Sequence, residues 1–142
     1  MKIRLLMLGK TRRPELCVIL DDYVKRIGRS NKIEVKEVRD GDAVVKRLDA
    51  DRASTVVLLD AGGKALDSEG FAKWIGEQRD SGTREMVFVC GDADGFPEVV
   101  RERVKQKISL SSMTYSHELA RVMLAEQVYR AFAILAGSPY PK

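Results

Sequence analysis

Three short stretches of this 142-residue chain combine glycines, carboxylates and hydroxyls in a way suited to holding a ligand. They are Leu59-Asp60-Ala61-Gly62-Gly63, Gly91-Asp92-Ala93-Asp94-Gly95 and Leu110-Ser111-Ser112-Met113-Thr114-Tyr115. Glycine lets backbone approach a ligand closely, and small hydroxyls offer adaptable hydrogen bonds. Each stretch taken singly is also what an ordinary turn needs. The chain has no GxGxxG, GxxxxGK[ST], GxSxG or HExxH pattern, so dinucleotide, P-loop, hydrolase-elbow and zincin chemistry lose their support. With Cys17 and Cys90 far apart and His117 the single histidine, a disulfide framework and a metal site are both excluded. Cys90 reads as a small core residue and His117 as a residue opening a helix. Glu126 and Arg130, four apart, read as an ion pair on a surface or at an interface.

The elements that must position these stretches alternate along the chain. The apolar run 3–8, stopped by Gly9, predicts a buried strand. Pro14 opens a helix whose Leu16, Ile19, Leu20, Tyr23, Val24 and Ile27 follow at helical spacing, ending near Gly28. Residues 33–38 alternate as a half-exposed strand, and a short charged helix covers 42–50. A β-branched strand over 55–59 precedes a helix capped by Asp67 or Ser68 and running to about 78. Residues 86–89 form another buried strand, Pro97 opens a helix to 105, and 108–110 is a short fifth strand. A long helix spans 116–136.

Five strands alternating with five helices predict one α/β domain, a mainly parallel sheet with helices on both faces. In such sheets ligands bind beyond the carboxyl ends of the strands, which is where all three stretches fall. The length suits a single domain, and 44% hydrophobic with 32% charged residues is globular composition. The most apolar segment, 117–136, carries His117, Glu118, Arg121, Glu126 and Arg130, which excludes a membrane span. No signal peptide is legible at the N-terminus, so a cytoplasmic location is expected. Residues 1–36 hold ten Lys and Arg against four acids, whereas the remainder is slightly acidic. That surplus, including Arg12, Arg13, Arg26 and Arg29, reads as a phosphate-contacting patch or as an ordinary solvated face.

The run Leu110-Ser111-Ser112-Met113-Thr114-Tyr115-Ser116-His117-Glu118-Leu119-Ala120-Arg121-Val122, then Ala125-Glu126-Gln127-Val128-Tyr129-Arg130-Ala131, closely resembles the C-terminal signature of the RlmH family. These are pseudouridine N3-methyltransferases of large-subunit ribosomal RNA. The Gly91–Gly95 stretch and the strand end Val57-Leu58-Leu59-Asp60 match in order and spacing. The resemblance implies a SPOUT-type fold with a C-terminal trefoil knot, and S-adenosylmethionine as methyl donor. It implies cofactor binding by Leu59, Gly91, Leu110, Ser111, Ser112, Met113, Thr114 and Tyr115. It further implies a homodimer acting on helix 69 of 23S rRNA in the assembled ribosome. Two departures stand out. Asp92 occupies a position that is usually glycine, and the chain ends Ser138-Pro139-Tyr140-Pro141-Lys142 where family tails often read His-Pro-Tyr-His. Tyr140 matches, but Ser138 and Pro141 stand at histidine positions, so no role of those histidines carries over.

Methyl transfer to a ring nitrogen is an in-line displacement in which alignment supplies most of the catalysis. The imide N3–H must also lose its proton, for which the candidates are Asp92, His117, Arg121 and Tyr140. Substrate contacts are expected at Tyr140, Arg12, Arg13, Arg26 and Arg29. Two alternatives are a non-catalytic RNA-binding relative of the same fold and an unrelated flavodoxin-like small-molecule binder. Of the 20 residues from His117 to Ala136, 14 are apolar, more than one core contact covers. The surplus predicts a two-fold partner, unless the helix is central and wrapped by its own chain.

Overall fold

The computed structural model describes residues 1–50 and 54–140, which places Pro141 outside the described residues. Strands β1 (Lys2–Leu8), β2 (Lys32–Val38), β3 (Ser54–Ala65), β4 (Glu85–Cys90) and β5 (Lys107–Ser109) alternate with five helices. The helices are α1 (Pro14–Gly28), α2 (Gly41–Asp49), α3 (Ser68–Asp80), α4 (Glu98–Arg103) and α5 (His117–Leu135). Every strand pairing is parallel, in the order β2-β1-β4-β3-β5. The expected elements are all present, with ends shifted by a residue or two as usual for helix and strand termini, except at the C-terminal end of β3.

Alternation along the two central strands assigns the helices to faces. Ile3, Leu5 and Met7 of β1 and Met86 and Phe88 of β4 pack with Leu20, Ile27, Phe71, Ile75, Leu124 and Val128 from α1, α3 and α5. Leu6 and Leu8, with Val87 and Val89, pack instead with Val44 and Leu48 of α2 and Val100 of α4. All six residues of β4 are buried, and from Met86 to Cys90 the strand is apolar on both faces, as its sequence requires. Each such side chain contributes about 1.5–3 kcal/mol through burial. The ambiguity at the start of α3 resolves cleanly. Asp67 is the N-cap and accepts the Gly70 N–H at 2.7 Å, while the Ser68 hydroxyl turns to Gln127.

Strand β3 departs from expectation. Its residues run on past Leu59 to Ala65, through the glycines that read as a turn. Ile108 of β5 is in register with Leu59 and again with Lys64, with an irregularity between them. A Cβ on Gly63 would lie 2.7 Å from the backbone carbon of Lys107, so glycine is needed for this approach. The two backbones touch where only hydrogen fits.

Helix α5 lies between α1 and α3 on one face of the sheet. Its small residues Ala125 and Ala131 are buried, and a Cβ on Gly76 of α3 would sit 2.9 Å from Leu135. Much of its all-round apolar surface is therefore covered by its own chain. Leu119 and Ile134 stay 42% and 41% exposed.

Candidate ligand cleft

The three glycine and hydroxyl stretches converge. Leu59–Gly63 lies within β3, from its last pairing with β4 onward, and the other two stretches follow the neighbouring strands β4 and β5, so all three fall at the same edge of the parallel sheet. There they line one cleft of about 460 Å³, a size suited to a nucleoside-sized ligand. Leu59, Gly91, Leu110, Ser111, Met113, Thr114 and Tyr115 all border it. Ser112 is exposed and is not among the lining residues. Asp92 and His117 line it too, as do Asp60, Phe96, Ala120 and Arg101.

The loop after β4 is closed on itself. Asp92 N–H donates to the Gly95 carbonyl at 3.3 Å and Gly95 N–H returns the bond to Asp92 at 3.0 Å. The Asp92 carboxylate also accepts the Asp94 N–H at 2.9 Å, so this unexpected acid braces its own turn. A Cβ on Gly91 would fall 2.7 Å from the Gly95 carbonyl oxygen, and Gly95 itself has a φ of +83°. Both glycines are required by the loop before any ligand is considered. The loop after β5 is held in a similar way, with the Ser109 hydroxyl donating to the Ser111 carbonyl and the Ser111 hydroxyl accepting the Met113 N–H. Met113 is 71% exposed at the cleft, apolar surface available to a ligand.

Ser116 caps α5 by accepting the Leu119 N–H, which puts His117 at the first helical position and beside the cleft. His117 both opens a helix and borders the site. Cys90 is 2% exposed, and burial pushes its thiol up to about 12, so it stays a neutral core residue as its surroundings suggested.

Arg121 leaves the group of candidate proton handlers. It is fully buried, and its guanidinium donates to the carbonyls of Leu8, Gly9 and Gly91 and to the Thr11 hydroxyl. A side chain engaged with four internal acceptors has no path to a substrate. Arg101, missed from the sequence, borders the cleft and donates from Nε to the Phe96 carbonyl. Its only sequence signal is a basic residue just after the Gly91–Gly95 loop.

Tyr140 lies elsewhere. Its hydroxyl donates to Glu126 at 2.6 Å, its ring packs 4.6 Å from that of Tyr129, and Arg130 stacks over it at 5.1 Å. Burial, reinforced by the bond to Glu126, raises the phenol above its ordinary range, so it remains a protonated donor. Glu126 and Arg130 do form the expected pair, at 2.9 Å, with Tyr140 as a third member. The four arginines divide. Arg12 and Arg13 precede α1 and Arg26 and Arg29 lie at its other end, about 20 Å away along the helix. Arg26 lies against the rings of both Tyr23 and Tyr129 and pairs with Asp22.

Among the described residues no helix is long and apolar enough to cross a membrane, and no His, Cys, Asp or Glu cluster could hold a metal. Residues 1–141 match the family model described as a predicted SPOUT methyltransferase. A relative from Pelobacter propionicus, named ribosomal RNA large subunit methyltransferase H, is 41% identical and covers 99% of each chain. One of the same name from Gemmatimonas aurantiaca is 38% identical over both full lengths. Among solved structures, the tRNA (m1G37) methyltransferase of Aquifex aeolicus superposes with a TM-score of 0.62 at 18% identity, covering 100% of this chain and 75% of that one. The SpoU methyltransferase AviRb of Streptomyces viridochromogenes, in complex with the cofactor AdoMet, gives 0.56 at 14% identity over 90% of this chain and 56% of its own.

Proposed function

The chain belongs to the SPOUT methyltransferases and, within them, to the ribosomal RNA large subunit methyltransferase H family, and on that premise we propose that it methylates ribosomal RNA. We further propose the target as N3 of a pseudouridine in helix 69 of 23S rRNA, modified on the assembled ribosome in the cytoplasm. The methyl donor is S-adenosylmethionine. The residues present fit it. Gly91 offers close backbone approach, Met113 apolar surface, and Ser111 and Thr114 hydroxyls, around a cleft of the right volume. When bound, the cofactor supplies an electrophilic methyl group. The convergence of three separately encoded loops on one cleft carries this reading. The C-terminal trefoil knot belongs to the same proposal, supported by the pairing of β5 with β3 on both sides of the Asp60–Gly63 turn.

The cleft's own residues can align a base and exclude water around it. His117 and Asp92 are in position to receive the N3 proton, since both line the cleft. Tyr140 sits beside Tyr129, about 14 Å along α5 from Ala120 at the cleft, so its own site is out of its reach. A homodimer would resolve this by bringing one tail to the partner's cleft. Val18 and Ile19 on α1, with Leu119 on α5, supply exposed apolar surface for the contact.

Two measurements test the reading. Ribosomes from a strain lacking this modification should accept one methyl group from S-adenosylmethionine at a pseudouridine of helix 69. Binding of cofactor and ribosome without transfer would instead establish the non-catalytic relative, which the missing tail histidines favour. Sedimentation should show a species of twice the 15.9 kDa chain mass. A monomer that still methylates ribosomes would remove both the dimer and the shared site.

A further inference from the structure

The first two turns of α5 grip the segment between β1 and α1 at two points. Glu118 accepts the backbone N–H of Arg12 at 2.8 Å and of Arg13 at 2.9 Å on the same oxygen. Arg13 is the N-cap of α1 and contributes no capping side chain, so Glu118 caps that helix from a distant element. These two amide bonds, chiefly that from Arg13, hold the Glu118 carboxyl below its ordinary range, so it stays ionised. One turn on, Arg121 holds the Gly9 carbonyl and the Thr11 hydroxyl with one nitrogen, and the Leu8 and Gly91 carbonyls with the other. Beside the first grip His117 lines the cleft, and between the two grips Ala120 does.

The segment so held is basic. Lys10, Arg12 and Arg13 are exposed, and among the described residues none of the three makes an ion pair. It also abuts the cofactor loop, because a Cβ on Gly9 would lie 3.9 Å from that of Asp92. Their backbone is fixed while their charges face solvent. That is the arrangement of a phosphate grip whose placement matters.

We propose that Glu118 and Arg121 are positioning residues that set the basic Lys10–Arg13 segment in register with the cofactor cleft, so that RNA phosphates held by Arg12 and Arg13 bring the acceptor base to the methyl donor. This rests on the reading of RNA as substrate. Neither residue touches the reacting atoms. Glu118 acts through the backbone of Arg12 and Arg13, and Arg121 through the strand ends.

The test uses the full chain with purified ribosomes and calorimetric titration of S-adenosylmethionine. Glu118→Ala should lower kcat/KM for ribosomes by about tenfold or more while cofactor Kd stays within about twofold. Glu118→Gln keeps an oxygen acceptor for both amides and should recover most of the loss. Arg12→Gln combined with Arg13→Gln should be costly in the parent and nearly silent in the Glu118→Ala background, a coupling that a merely structural residue would not produce. Additive losses, or a Gln variant as poor as the Ala variant, overturn the proposal. If Glu118→Ala does not fold, Glu118→Asp, charged but one methylene short, carries the same cycle. If the parent methylates no RNA, the functional reading fails on its own. The grip is then judged by hydrogen exchange, with the Arg12 and Arg13 amides expected to exchange about tenfold faster in the Glu118→Asp or Glu118→Ala variant, and unchanged protection overturning it.

Discussion

Gly91→Val should weaken S-adenosylmethionine binding at least tenfold, or about 1.4 kcal/mol, in a protein that still folds. Two effects add. A branched side chain at this position fills space where the backbone of Gly91 borders the cleft. Its Cβ alone would also sit 2.7 Å from the Gly95 carbonyl oxygen, a contact that cannot persist, so the paired Asp92–Gly95 turn must open. Gly91→Ala separates the two, since it opens the turn while adding little bulk toward a ligand. If Ala weakens binding nearly as much as Val, loop closure is the dominant requirement. Calorimetry on both variants decides it, and unchanged affinity in the folded Val variant would take Gly91 out of the site.

Periodicity was enough for the framework because each element answers to its own residues. Apart from Arg4 the run at 3–8 is apolar on both faces, and the sheet buries it between two helical layers. Capping was legible in part, since Asp67, one of two candidates, acts on the amide three residues away, whereas the cap by Ser116 appears only in the structure. What failed were features set by distant backbone. Gly62-Gly63 looks like a turn locally, but it lies within β3 because β5 passes against it. The all-round apolar character of α5 is answered only in part by α1 and α3, which flank it, and Leu119 and Ile134 stay exposed where the proposed partner would cover them. The three loops were recognisable by composition, and their meeting followed from the rule about strand ends. Arg101 and the internal position of Arg121 were not. An arginine in a helix is normally solvated, and nothing near Arg121 in sequence indicates the carbonyls of Leu8 and Gly91 that enclose it.

Arg121→Met should destabilise the fold by about 3 kcal/mol, lowering Tm by on the order of 10 °C for a chain of this length. Two contributions oppose each other. Burying a guanidinium removes it from water, and an apolar replacement of similar length relieves that penalty, which is why some buried ions are dispensable. Against this, the fork satisfies four acceptors, of which the Leu8 carbonyl at 2.7 Å belongs to a residue 2% exposed that water cannot easily serve. Charged hydrogen bonds of this kind contribute about 1.5–3 kcal/mol each, so their loss outweighs the relief. Arg121→Lys should fall between, because one ammonium on a flexible stem cannot span strand ends β1 and β4 together. Releasing the Gly91 carbonyl would also loosen the cleft, so cofactor affinity should fall in the Met variant along with Tm. A Met variant as stable as the parent would mean that desolvation relief wins here and that the strand-end carbonyls find other donors.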